Sequence, residues 1–129
     1  MSDTYSSLTL DHFRNPRNVG TLDAPSAFGH AENPASGATL NLYLNLDADG
    51  IICKAVFQAQ GCTATIAAAS VATELLPGRR LANDPVLTRD ELASALGQLP
   101  PARRHAYRLI EDAIQSAVES NTRSETVTA

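Results

Sequence analysis

The chain has 129 residues, 43% of them hydrophobic and 19% charged, which is the size and make-up of one globular domain rather than a disordered segment. Ten basic residues against fourteen acidic ones give a net charge of -4, which argues against nonspecific binding to nucleic acid. No run is apolar enough to span a bilayer, residues 1–20 carry no signal-peptide core, and two cysteines make no disulfide framework, so a cytoplasmic setting without a membrane partner is expected.

In "DTYSSLTLDHFR" (3–14), Tyr5, Leu8, His12 and Phe13 fall at helical spacing, with Asp3 as the expected N-cap and Pro16 as the stop. Residues 15–37 are rich in Asn, Pro, Gly and Ala and read as loops, with one short strand near Ala27–Ala31. In "ATLNLYLNL" (38–46), Leu40, Leu42, Leu44 and Leu46 alternate with polar residues, the mark of a strand with one buried face. "DADG" turns the chain, and "IICKAVFQ" returns as a strand that places Ile51, Cys53, Ala55 and Phe57 on one face, so 38–60 form an antiparallel hairpin.

A small-residue helix follows from Thr63 to Leu76, stopped by Pro77-Gly78. Between 79 and 97 the pattern suggests one or two short helices, in "RRLAND" and "TRDELASALG". After Pro100-Pro101 comes the clearest helix, in which Ala106, Leu109, Ile110, Ala113, Ile114, Ala117 and Val118 form a continuous apolar stripe. Residues 119–129 are polar and read as a frayed tail behind a core of about 5–118, all within a single domain. A helix, then strands, then helices point to an α+β fold with helices on one face of a small antiparallel sheet.

Cys62 sits where the hairpin gives way to a helix, and a helix N-terminus favours the thiolate, the form that binds metals and attacks electrophiles. The competing role is that of a small buried residue. His105 falls in the first turn of the last helix, at the edge of the apolar stripe, where a neutral ring able to bind metal is favoured. Cys53 and His12 read as structural side chains on apolar faces, and His30 as a loop residue. Arg103, Arg104 and Arg108 read as a solvated basic face. The chain contains no CxxC, HExxH, GxSxG or glycine-rich phosphate loop. Cys62 and His105 fall short of the four ligands of a structural zinc site. As a nucleophile and base they lack a third orienting residue, so an enzyme is not expected.

Three segments, "LTLDHFRNPRNVG" (8–20), "QGCTATIAAASVATELLPG" (60–78) and "LPPARRHAYRLIEDAI" (99–114), resemble signatures of the IscU/NifU-type iron–sulfur cluster assembly scaffolds, in order and spacing. The resemblance implies an α+β domain with an N-terminal helix first and a three-stranded antiparallel sheet. It also implies a [2Fe–2S] cluster held on three cysteines with help from an aspartate or histidine, sulfur delivered by a cysteine desulfurase, and transfer to acceptor proteins.

Taken position by position, the family's "GC" cysteine matches Cys62, and the histidine before its last cysteine matches His105. The cysteine and aspartate of its Pro-x-Cys-Gly-Asp loop match Ser36 and Ala38, and its last cysteine matches Ala106. The resemblance therefore implies Cys62 and His105 as surviving metal ligands, with Ser36, Ala38 and Ala106 as former ligand positions. A serine hydroxyl stays protonated at neutral pH and alanine cannot ligate, so one chain is expected to bind iron or a cluster weakly, or with ligands from a partner such as a second copy. Zinc is the alternative metal, and an isolated chain holding none is also expected. The family's chaperone-docking segment matches Leu99, Pro100, Pro101, Ala102 and Arg103. The remaining reading is a cluster-free protein that binds a desulfurase as regulator or persulfide acceptor.

Overall fold

A computed structural model describes residues 5–128, with the side chains of 5–121. Helix α1 (Ser7–Arg14) precedes strands β1 (Ala27–Asn33), β2 (Ala38–Leu46) and β3 (Ile52–Gln60), and helices α2 (Thr63–Leu75), α3 (Arg89–Leu96) and α4 (His105–Thr128) follow. The strands form an antiparallel sheet in the order β1-β2-β3. The alternation in β2 sorts its side chains as expected. Leu40, Leu42 and Leu44 are buried with Ala27, Ala31, Ala55 and Phe57 beneath the helices, while His30, Glu32 and Gln58 stay exposed. This is the α+β fold that the element order implies.

Helix α2 buries Ala64, Ala67, Ala68, Ala69 and Ala72, and their short side chains let it lie close to the sheet. Helix α4 approaches β1 even more closely. A Cβ on Gly29 would come within 1.9 Å of the Ala113 carbonyl oxygen, so only glycine permits the contact. Two serines one turn apart on α4 then serve the open edge of β1: Ser116 accepts the His30 N–H at 3.1 Å and Ser120 the Phe28 N–H at 3.4 Å. These hydroxyls cover edge groups that would otherwise invite another strand.

Several expectations are corrected. The N-cap of α1 is Ser6, whose hydroxyl accepts the Thr9 N–H at 3.0 Å, and Asp3 lies outside the described residues. The face that α1 buries is polar. Thr9 is fully buried and bonds the Leu96 carbonyl, and His12 bonds Ser70 at 2.8 Å and faces Glu74 at 3.4 Å, while Leu8 and Phe13 are 49% and 41% exposed. Helical spacing finds the stripe of α1 but not which side the protein covers.

In β3 the ladder slips: Asn45 pairs with Lys54, but Leu46 pairs with Ile52. This bulge inserts one residue and reverses the faces before it, so Ile52 is buried and Cys53 is exposed, its thiol near the Asn45 carbonyl. Cys53 is thus not on the apolar face. His30 lies on β1 rather than in a loop. Its ring nitrogens sit 2.6 Å from Asn41 Oδ1 and 3.0 Å from Glu32 Oε2, and hydrogen bonds to Asn41 and then Glu32 raise its pKa.

"RRLAND" is not helical, because its backbone pairs with the start of β3: the Arg79 carbonyl accepts the Ile52 N–H at 2.8 Å. The segment 88–97 is helical, with a capping box between Thr88 and Glu91 and a left-handed Gly97 at its end. Helix α4 continues through Thr128, so the polar stretch read as a frayed tail has helical backbone.

Candidate functional site

Three chain segments meet at one end of the sheet. The β1–β2 turn is closed by the pair Asn33–Ala38, and the pair Thr39–Gln60 sets that turn beside the β3–α2 junction at Gly61-Cys62. A 3₁₀ turn, Pro101–Arg103, leads into α4 and brings His105 to the wall of a cavity of about 220 Å³ that it shares with Asn33 and Pro34.

Cys62 is the N-cap residue of α2 and is half-buried. The chain reaches it through Gly61 at φ +156°, where a Cβ would stand 2.7–2.9 Å from the side-chain atoms of Thr65. Glycine therefore lets the backbone pass over Thr65 and set the Cys62 sulfur at the helix start. The sulfur lies 3.6 Å from Thr65 Oγ1 and makes no full capping bond to the backbone. Burial, the largest influence, pushes the Cys62 thiol up. The Thr65 N–H and hydroxyl, the Ala64 N–H and the Arg103 charge together outweigh it and hold the thiol below its ordinary range.

The three positions that the resemblance matches to family ligands do structural work. Ser36 is exposed, and its hydroxyl accepts the Ala38 N–H at 3.2 Å within a turn that Asn33 Oδ1 also braces. Ala38 and Ala106 are 2% and 0% exposed, with their methyl groups in the core. His105 is half-exposed and heads α4, and no hydrogen bond joins it to Cys62 among the described residues. Among the described residues no three of His, Cys, Asp and Glu come together as a metal site. One thiol and one imidazole thus face a shared end of the sheet without forming a closed coordination shell.

The segment expected to dock a chaperone divides. Leu99 is 3% exposed and donates its N–H to the Tyr107 hydroxyl at 3.0 Å, so it anchors the segment rather than presenting a surface. Pro101 and Ala102 are exposed. In the basic cluster, Arg108 pairs with Asp112 at 2.9 Å on the surface, as a solvated face should. Arg103 is half-buried, and its charge adds a small influence that favours the Cys62 thiolate. Sequence reasoning named Arg103 for the basic face and the docking segment but not for its influence on Cys62, and it missed Thr65. Thr65 had a local signal, since it lies three residues after a helix cap, whereas Arg103 is 41 positions from Cys62 and had none.

Residues 4–127 match the family model described as the NifU-like N terminal domain. The chain is 40% identical over 117 residues to the "Iron-sulfur cluster assembly scaffold protein IscU" of Azotobacter vinelandii, an alignment covering 88% of this chain and 91% of the relative. It is 39% identical over 114 residues to "Iron-sulfur cluster assembly scaffold protein IscU 1" of Archaeoglobus fulgidus, covering 88% of this chain and 74% of that one. The crystal structure of a NifU-like protein (N-terminal) from Brucella abortus shares the fold, with a TM-score of 0.71 at 16% identity over 92% of this chain and 94% of that one.

Proposed function

Because the chain belongs to the NifU-like N-terminal domain family, we propose that it works as an iron–sulfur cluster assembly scaffold with a reduced ligand set. Its relatives are named as such scaffolds. Iron or a [2Fe–2S] cluster is the cargo in this reading, not a resident cofactor. Cys62 supplies the thiolate and His105 a second ligand.

The observation that carries the reading is the Cys62 junction. Gly61 and Thr65 set a half-buried thiol at the start of α2, where the Thr65 and Ala64 hydrogen bonds and the more distant Arg103 charge favour thiolate. Clusters are held mainly by thiolates, with imidazole as an occasional substitute, and a [2Fe–2S] unit takes about four ligands. A single chain offers two, so binding is weak or is completed by another chain. A second copy would supply a matching Cys62 and His105 and bring the count to four. A cysteine desulfurase as sulfur source, a chaperone at the exposed Pro101 and Ala102, an acceptor protein and a cytoplasmic setting belong to the same reading. Among the described residues no helix is long and apolar enough to cross a membrane.

Anaerobic reconstitution with ferrous iron, sulfide and a cysteine desulfurase tests the proposal. Visible charge-transfer absorption that appears with the wild type and is lost in Cys62→Ala is the expected result. No absorption at any protein concentration, or absorption unchanged by Cys62→Ala, overturns it.

A further inference from the structure

A cleft of about 600 Å³ lies between α4 and the 82–88 loop, and it shares no lining residue with the cavity beside His105. Its volume is that of a small-molecule site. The 13-residue helix α2 separates Cys62 from the start of the segment that leads into this loop, a rise of about 20 Å.

Two paired arginines hold the walls in place. Arg79 donates to the Leu75 and Val86 carbonyls at 2.8 and 3.2 Å and forks onto Glu91 at 3.0 and 2.6 Å. Arg89 forks onto Glu111 at 3.1 and 2.6 Å and lies 5.6 Å from the centre of the Tyr107 ring. A cleft fixed in this way is preformed, so a ligand spends little on ordering it.

Its chemistry is specific. Val86, Leu87 and Ile114 form a floor that is 5–6% exposed, with Val118 beside them. Arg89 and Glu111 neutralise each other. Asp84 is then the charged lining group left without an ion pair or hydrogen bond among the described residues, and it stands exposed at the lip next to Asn83. We propose that this cleft binds a small cationic amine with an apolar body, the ammonium on Asp84 and the hydrocarbon on the Val86–Leu87–Ile114 floor. The 12 lining residues are about half of those a protein partner covers, which favours a small molecule.

The test is a ¹⁵N-HSQC titration of the full chain with 2-phenylethylamine, alongside the neutral 2-phenylethanol and the anionic 3-phenylpropionate. Saturable shifts confined to residues 82–89 and 111–118, with a Kd of about 1 mM or tighter for the amine, are expected. The carboxylate should bind at least about tenfold more weakly. The exposed substitution Asp84→Asn should weaken the amine about fivefold and leave the alcohol unchanged. A second exposed change, Gln115→Trp, should block both probes. Shifts elsewhere, none at all, or equal affinity for amine and carboxylate would overturn the proposal. None of these outcomes bears on cluster binding at Cys62.

Discussion

Replacing Gly61 with alanine should be among the most damaging single-methyl changes in the chain. At φ +156° a side chain is strained, and the new Cβ would stand 2.7, 2.8 and 2.9 Å from Thr65 Oγ1, Cβ and Cγ2. Thr65 is itself fully buried and cannot swing away. Backbone strain of about 1–2 kcal/mol and a contact cost of similar size give about 3 kcal/mol. For a chain of 129 residues the unfolding entropy is about 0.27 kcal/mol/K, so the melting temperature should fall by about 11 °C. Gly50→Ala is the internal control, because φ is +79° there and nothing lies within 4 Å. It carries the backbone term alone, about 1 kcal/mol or about 4 °C. Thermal and urea unfolding followed by circular dichroism, with an unchanged urea m-value, would measure both. Equal losses for the two variants would refute the claim that Gly61 exists to clear Thr65.

Gly29→Ala should cost at least about 3 kcal/mol in urea unfolding, because its Cβ would meet the Ala113 carbonyl at 1.9 Å and must push α4 off β1. Glu91 is held down to about 2 by its hydrogen bonds to Arg79 and to the Thr88 backbone. A depressed carboxylate stabilises the fold above its ordinary range. The gap between wild type and Glu91→Gln, about 1 kcal/mol at pH 7 after allowing for solvent screening, should therefore close as pH falls from about 4.5 towards about 2. In a Cys53→Ser background, iodoacetamide labelling isolates Cys62. Arg103→Ala and Thr65→Val should each move the midpoint of its pH–rate profile upward, since each removes a group that favours thiolate. Unmoved midpoints would contradict the electrostatic account.

The strands of the sheet were legible where local periodicity and burial agree. Leu40, Leu42 and Leu44 show this, because one face of β2 meets helices and the other is open. Cys53 was misplaced because a bulge is a property of pairing between two strands, and no period in β3 alone records it. The same limit applies to α1: Leu8 and Phe13 are apolar, yet its buried contacts are made by Thr9, on the Leu96 carbonyl of α3, and by His12, on Ser70 of α2. At the candidate site, the placement of Cys62 at a helix start and of His105 at a helix head was legible, whereas the matches of Ser36, Ala38 and Ala106 to ligand positions rest on the family resemblance alone. What those three side chains do appears only in three dimensions. Ser36 braces its own turn, while Ala38 and Ala106 have joined the core.

The most direct test of the account is the iron and acid-labile sulfide retained per chain, with the elution volume, after anaerobic reconstitution and gel filtration. Wild type, Cys62→Ala and the restored variant Ser36→Cys/Ala38→Asp/Ala106→Cys should be compared. The account predicts that the wild type keeps well under one [2Fe–2S] cluster per chain as a monomer, or carries one cluster per two chains at the elution volume of a dimer. It predicts none on Cys62→Ala and about one per monomer on the restored variant, because thiolates set the count. A wild-type monomer that keeps a full cluster, or a Cys62→Ala variant that binds as the wild type does, would contradict it.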